Sequence, residues 1–435
     1  MAELTTSSQT RTDRVLTVLN PSEWAPPPEF LSFSLLKEVE SCALRAALRR
    51  AKYVGLWERW GYPPKLNEAR IAGSVIHETV VKIAAYLRAK GLESVHDDGS
   101  FSALKELGGY SRMIADTLAE MLARLQNNPR CHNPDLLKQS LAVRLPEMRE
   151  KTQIMLSRLK WKAHPPGTPV SQEKQSQGPL SAGSHFEILL TARSLKWRGV
   201  ADLIEVYGSD VSIVDFKTGS PSESHEEQLE IYALLWANDE ELNPSGSLAT
   251  ELCLSYPNGP VSVTPPDNTS LQELKKKLLK RSRSAIAALA SRTPQANVGA
   301  GTCPLCDVRH LCSEYWKQTN RKKVGPPKNP NFEDIEFQLE KRLGELTWVG
   351  HCAVATGLIP ASELLVRVSA EHRALTSTLK PGMIVRALDA NVARGEEGRA
   401  PIVSLLGFTE VFLLSSNTVD SNQPRGGLDD SISQH

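Results

Sequence analysis

Two short segments place charge where a folded chain tolerates it least. Trp197-Arg198-Gly199-Val200-Ala201-Asp202-Leu203-Ile204 is apolar around a single aspartate, and Ser212-Ile213-Val214-Asp215-Phe216-Lys217-Thr218-Gly219 ends a β-branched run on an aspartate and a lysine two residues apart. Both segments read as strands joined through a Gly208-Ser209-Asp210 turn. Residues i and i+2 of a strand share a face, so Asp215 and Lys217 point to one place. Burying two carboxylates and a lysine on adjacent central strands is costly unless a cation and an anionic ligand neutralise them. A surface hairpin with its charges in water is the ordinary explanation of an isolated D-x-K, but it leaves other residues of this chain unexplained.

Those residues lie on either side. Gln228 and Tyr232 stand one helical turn apart in Gln228-Leu229-Glu230-Ile231-Tyr232, with Leu229, Ala233 and Trp236 marking the stripe that such a helix buries. Upstream, Gly73-Ser74-Val75-Ile76-His77 lies in a helical run from about Leu66 to Lys90. In chain order the patterns G-x-x-x-H, G-x-x-D, D-x-K-T-G and Q-x-x-x-Y resemble the RecB-like branch of the PD-(D/E)XK nuclease superfamily, over roughly Phe30 to Trp316.

The resemblance implies an α/β fold, a restriction-endonuclease-like mixed sheet flanked by helices, and metal-dependent hydrolysis of phosphodiester bonds in DNA. It implies a Mg2+ or Mn2+ ion held by Asp202, Asp215, the backbone carbonyl of Phe216 and His77. Lys217 would then lie beside the attacking water, and Gln228 and Tyr232 would position the scissile strand or the lysine. Glu173 and Glu187 are upstream carboxylates available to an outer shell; Glu187 has the more family-like spacing to Gly199, and neither is assigned a role. The expected activity is a deoxyribonuclease of exonuclease or end-processing type, in DNA repair, recombination or phage defence. There is no G-x-x-x-x-G-K-[ST] phosphate loop, so any unwinding needs a helicase or another repair or defence protein supplied in trans. The competing class is a catalytically silent DNA-binding or scaffolding protein with a structural zinc knuckle.

The cysteines bear on that choice. There are seven, at 42, 131, 253, 303, 306, 312 and 352, an odd number with no signal peptide ahead of them, which argues against a secreted disulfide framework. Cys303, Cys306 and Cys312 form C-x2-C-x5-C, three thiols lacking a fourth ligand. Cys42 is the distant candidate for the fourth. One cysteine before the nuclease motifs and three after them resembles the iron-sulfur subgroup of RecB-like nucleases, such as AddB-type subunits and CRISPR-associated adaptation nucleases, and implies a [4Fe-4S] cluster. His310 offers a local alternative, a zinc knuckle with the same three cysteines. Cys131, Cys253 and Cys352 read as small buried hydrophobes.

With 435 residues, 40% hydrophobic and 23% charged, the chain is long enough for several cores, and it holds no apolar run that spans a bilayer. A cytoplasmic location is expected. A net charge of +1 decides nothing about nucleic acid, because binding depends on where cations cluster. Lys275, Lys276, Lys277, Lys280, Arg281 and Arg283 crowd one helix whose stripe is Leu271, Leu274, Leu278 and Leu279; a solvated face and a DNA contact both account for them. The expected organisation is a flexible leader over 1–28, a nuclease domain over 29–328 with a helical insertion at about 101–162 and the cysteine cluster at 303–312, a small OB-like β-barrel over 331–415, and a disordered tail over 416–435. A barrel that only guides DNA would be separable near Asn329.

Overall fold

A computed structural model describes residues 16–414 apart from 58, 132–133, 162–177, 326–328, 356–357, 359–361, 374 and 395–398. The first 15 residues of the expected leader, Glu173 and the expected tail lie outside the described residues. The described chain begins with β1 (Leu16–Val18), α1 (Phe33–Ser41), α2 (Ala43–Arg50), α3 (Glu68–Ala89), α4 (Ser100–Glu106), α5 (Gly109–Leu125), α6 (Pro134–Val143) and α7 (Leu145–Arg158). It continues through β2 (Gly183–Ala192), β3 (Trp197–Tyr207), β4 (Asp210–Phe216), α8 (Glu223–Ala237), β5 (Glu251–Tyr256), β6 (Gly259–Val263) and α9 (Asn268–Ala290). These elements fall into two compact units, one built from Ala25–Ala47 and Pro63–Gln295, the other from the chain up to Trp24, Leu48–Tyr62 and everything from Ala296 on.

The first unit is a five-stranded sheet in the order β2-β3-β4-β5-β6, antiparallel except for the parallel pair β4–β5, whose crossover is α8. Val211–Phe216 of β4 are all buried, as expected of a central strand covered on both faces. One face carries α1, α8 and α9, with Leu36, Leu229, Leu235 and Leu278 in its core. The other carries the α3 to α7 bundle, with Val75, Ile83, Met148 and Met155. Helix α3 buries Ile71, Val75, Thr79, Ile83 and Leu87, a strict four-residue spacing, and starts where Asn67 Oδ1 accepts the Arg70 N–H at 3.0 Å.

At one point the sheet departs from simple alternation. Phe186 and Leu203 are paired and belong to the core under α3, whereas Ile188 and Ala201, the next pair along, belong to the core under α8. Between them Glu187 takes a left-handed backbone, φ 54°, which is rare for a residue with a side chain. The two cores therefore meet at the level of Glu187 and Asp202.

The second unit adds α10 (Ser313–Trp316), α11 (Gln318–Val324), β7 (Phe332–Arg342), β8 (Thr347–Val354), β9 (Glu363–Val368), α12 (Leu375–Thr378), β10 (Ile384–Ala393), β11 (Ile402–Leu405) and β12 (Glu410–Leu414). Strands β7, β8, β9, β11 and β10 pair in that order, and β10 returns to β7, which closes a five-stranded barrel. The β9–β11 pair is parallel and the others antiparallel, with α12 between β9 and β10. Phe337, Trp348, Val366, Val385 and Val403 fill it. Beyond closure, β12 pairs with β10, and β1 lies parallel to β12, so part of the expected leader is a strand. Strands β7 and β11 are each defined by their barrel neighbours.

The cysteine-bearing segment belongs to the barrel's unit. Arg309 is buried and forks onto Asp334 of β7 at 2.5 and 3.1 Å, and Tyr315 Oη donates to the same carboxylate at 2.5 Å. Arg386 of β10 donates to the His310 carbonyl at 2.6 Å and lies over the Trp316 ring, and the His310 ring stacks on Phe412 at 3.8 Å. A cut near Asn329 would thus divide a packed unit. Burial alone would raise the Asp334 pKa, but Arg309 outweighs it and holds the carboxyl down to about 2. The stabilisation from this depressed pKa is complete above the ordinary carboxylate range and fades as pH falls from about 4 towards 2. We expect Asp334→Ala to cost about 3–5 kcal/mol in denaturant unfolding at neutral pH, because it leaves a buried guanidinium with only the partly exposed Asp389 as counter-charge. A chain ended at Asn329 is expected to aggregate on size-exclusion chromatography rather than run as a monodisperse core.

Candidate active site

His77, Glu187, Asp202, Asp215 and Lys217 converge in a cleft of about 710 Å³ between α3, the β2–β3–β4 sheet and α8. His77 projects from α3 one turn after Gly73; its Nε2 is 3.0 Å from Asp202 Oδ1 and its Nδ1 is 3.2 Å from Glu187 Oε1. Asp202 also accepts the Phe216 backbone N–H at 2.5 Å, which ties β3 to the end of β4. Asp215, 2% exposed, is paired with Lys217 at 2.5 Å. The lysine donates in turn to Gln228 Oε1 at 2.9 Å, and Gln228 Nε2 donates to Tyr232 Oη at 2.7 Å. The seven side chains thus form two groups, His77–Glu187–Asp202 and Asp215–Lys217–Gln228–Tyr232, joined where Asp202 accepts from the Phe216 N–H.

Its electrostatics follow from three carboxylates facing two cationic groups. Burial opposes a charge on Asp215, the Asp202 carboxylate opposes it further, and Lys217 only partly compensates, so its pKa rises to about 6. Burial lowers the basicity of His77, but the Asp202 hydrogen bond and the neighbouring carboxylates overcome this and push its pKa up to about 9. Glu187 is raised, mainly by burial. Such a site gains from added positive charge. Among the described residues, His77, Glu187 and Asp202 are the one set of three possible metal-ligand atoms gathered within 4.8 Å of one another. An imidazole with hard carboxylate oxygens fits a divalent cation such as Mg2+ or Mn2+.

Two motif glycines owe their identity to this packing. A Cβ at Gly199 would stand 2.7 Å from Tyr232 Cε1, and one at Gly73 would stand 2.9 Å from Thr218 Oγ1. The absent side chains let α8 and the D-x-K-T-G end approach the strand and helix that carry Asp202 and His77.

Glu187 is the residue that sequence reasoning undervalued. The pairs Phe186–Leu203 and Ile188–Ala201 set it across from Asp202. Placing the β2–β3 turn at Arg193–Lys196 would have put Glu187 beside Asp202 from sequence alone.

The other expected residues lie apart from this cleft. The basic residues are on α9, which packs with α1 and α8, and none lines the cleft. Arg281 is held by Glu40 at 2.6 Å and Glu227 at 2.5 Å, and Lys275 donates to Asn238 at 3.0 Å; Lys276, Lys277, Lys280 and Arg283 are exposed. Two members of the expected DNA patch are thus engaged within the fold. Cys303, Cys306 and Cys312 lie in the barrel's unit and Cys42 in the other, and among the described residues the cysteines form no ligand set comparable to that at His77. The iron-sulfur cluster is without support from the metal-ligand geometry, and the His310 ring is fully buried and stacked on Phe412.

The glycine contacts give a direct check. Gly199→Ala should displace Tyr232, lowering stability by about 1–3 kcal/mol through overpacking. Urea unfolding reads the loss, and an unchanged midpoint would show that Tyr232 is free to move.

The profile of the PD-(D/E)XK nuclease superfamily matches residues 30–313. No curated protein gives a significant match. Among solved structures, the crystal structure of SSO0001 is 14% identical, over 64% of this chain and 94% of that one, with a TM-score of 0.20. Members of the matched superfamily are typically metal-dependent nucleases, and the donor set of the cleft suits that chemistry. The matched span covers most of the chain and contains all the cleft residues named above, so this protein belongs to the PD-(D/E)XK nuclease superfamily.

Proposed function

We propose that this chain is a Mg2+- or Mn2+-dependent deoxyribonuclease of the RecB-like type that trims or processes DNA ends. The observation that carries this reading is the connected set His77–Glu187–Asp202 and Asp215–Lys217–Gln228–Tyr232 in one cleft. His77, Asp202 and Asp215, with the Phe216 carbonyl, are the residues that would hold the cation, and Glu187 is positioned to join them. When bound, such an ion supplies Lewis acidity and neutralises the carboxylates.

The chain's own groups do the rest. Lys217 carries three N–H donors; Asp215 and Gln228 take two, which leaves one for a phosphate oxygen or a water beside it. Gln228 can accept from the lysine only with its amide turned so that the NH2 meets Tyr232, so the tyrosine fixes the lysine's direction through it. A positive charge held rigidly in a part-buried cleft favours the extra negative charge that develops on a phosphate under attack. Action in repair, recombination or phage defence, a cytoplasmic location and a helicase or other partner supplied in trans are parts of the same proposal. The described residues include no helix long and apolar enough to cross a membrane.

The proposal extends to two features outside the cleft. The barrel's strand order, with its parallel β9–β11 pair and α12 between β9 and β10, supports an OB-like identity. The C-x2-C-x5-C spacing supports a [4Fe-4S] cluster with Cys42; in its loop the Cys306 N–H donates to the Cys303 carbonyl at 3.0 Å and the Arg309 guanidinium to the Cys306 carbonyl at 3.1 Å.

Asp215→Ala and Lys217→Ala should each abolish hydrolysis of labelled DNA while leaving its affinity nearly unchanged, since the loss falls on the transition state. Full activity in Asp215→Ala would overturn the assignment, and a wild type that binds DNA but never cuts it would favour the silent DNA-binding class. Mg2+ or Mn2+ should raise the melting temperature of the wild type by mass action, and less so in Glu187→Gln and Asp202→Asn. Protein purified without oxygen should absorb broadly near 400 nm (about the range of cysteine-ligated clusters) and contain iron, which Cys42→Ala should lose. Colourless, iron-free protein would remove the cluster.

A further inference from the structure

We propose that Arg70 grips the phosphate adjacent to the one being cut, so that the cleft recognises its DNA strand from one side of the scissile bond. This rests on the nuclease reading above and deepens it. Arg70, Ser74, His77 and Val81 are spaced i, i+4, i+7 and i+11 on α3, which puts them on one face of the helix, and all four line the cleft. At 1.5 Å per residue, Arg70 sits about 10 Å along the axis from His77. That sets its backbone beyond the catalytic cluster, from where a long, flexible side chain reaches a neighbouring phosphate.

The state of the other cations singles Arg70 out. Lys217 is engaged by Asp215 and Gln228. Lys82, on the opposite side of His77 along α3, is held by Glu120 at 2.7 Å and by Glu78 at 3.4 Å. Arg70 is exposed, and among the described residues its guanidinium makes no ion pair or hydrogen bond; only its backbone N–H is used, by Asn67. A solvated surface arginine would look the same in isolation. Here the side chain lines the cleft that holds the catalytic cluster, with the Ser74 hydroxyl between it and His77. Beyond His77 the lining passes to Glu78, Val81 and the compensated Lys82, so the uncompensated positive charge falls on one side only. A guanidinium offers paired N–H donors to phosphate oxygens, which suits it to this contact.

The test compares a DNA oligonucleotide with bis(p-nitrophenyl) phosphate, a diester with no neighbouring phosphate. For Arg70→Ala we expect KM on the oligonucleotide to rise about tenfold with kcat nearly unchanged, and hydrolysis of the small diester to match the wild type. Arg70→Lys should recover part of the loss, because a phosphate contact depends first on charge. DNA binding, measured by fluorescence anisotropy in the Asp215→Asn background, should lose about one unit of the log K against log salt slope when Arg70→Ala is added. Equal losses on both substrates would overturn the proposal, placing Arg70 at the scissile group or in the fold. An unchanged KM and salt slope would overturn it too, leaving a solvated residue. A wild type that cuts neither substrate but binds DNA with the Arg70-dependent slope would sink the nuclease reading while upholding the phosphate contact.

Discussion

The arrangement of this molecule turns on an imbalance of buried charge. In a cleft walled by two hydrophobic cores, the three carboxylates of Glu187, Asp202 and Asp215 crowd around His77 and Lys217. Carboxylates so placed repel one another in a poor dielectric, which is why Asp215 is less acidic than usual and His77 more basic. The fold tolerates this because each group sits on rigid backbone: Asp215 on a strand covered on both faces, Asp202 on its antiparallel neighbour, His77 on a helix of 22 residues. A site assembled on strands and a long helix holds its geometry more closely than one on loops.

The same imbalance gives meaning to features that look incidental. The left-handed backbone at Glu187 is the kind of strain that persists only where surrounding structure enforces it, and it occurs where the strand pair changes from one core to the other. Gly73 and Gly199 open space for Thr218 and Tyr232, so helix and strand close on the cluster rather than on each other. Tyr232 reaches the lysine only through Gln228, and a helix four residues per contact pair is what lets the two side chains stack in that order.

The barrel's unit solves a different problem with the opposite balance. Arg309, almost wholly buried, is matched by Asp334 and supported by Tyr315 and Asp389, so its charge is neutralised within the unit. Three separate stretches build it, the one carrying β1, Leu48–Tyr62 and everything from Ala296. Domain limits drawn along the sequence could not anticipate a unit made of three separate stretches.

Local chemistry determined much of this protein. The β-branched run ending in Asp215-Phe216-Lys217, the glycine turn before it and the four-residue apolar period of α3 carry their own geometry, so the central strands, the long helix and the grouping of His77, Asp202, Asp215, Lys217, Gln228 and Tyr232 in one place were legible in the sequence. Strands that depend on partners were less so: β7 and β11 are defined by barrel closure, and β1 by a strand almost four hundred residues away. Glu187 entered the site through cross-strand register and an unusual φ, neither of which a single residue announces. The α9 cations illustrate the converse, since charge is visible in sequence but its partner is not, and Glu40 and Glu227 had already claimed Arg281. Sequence specifies what a residue can do; which groups it meets is decided only when distant segments pack, because neutralisation, burial and register are properties of pairs.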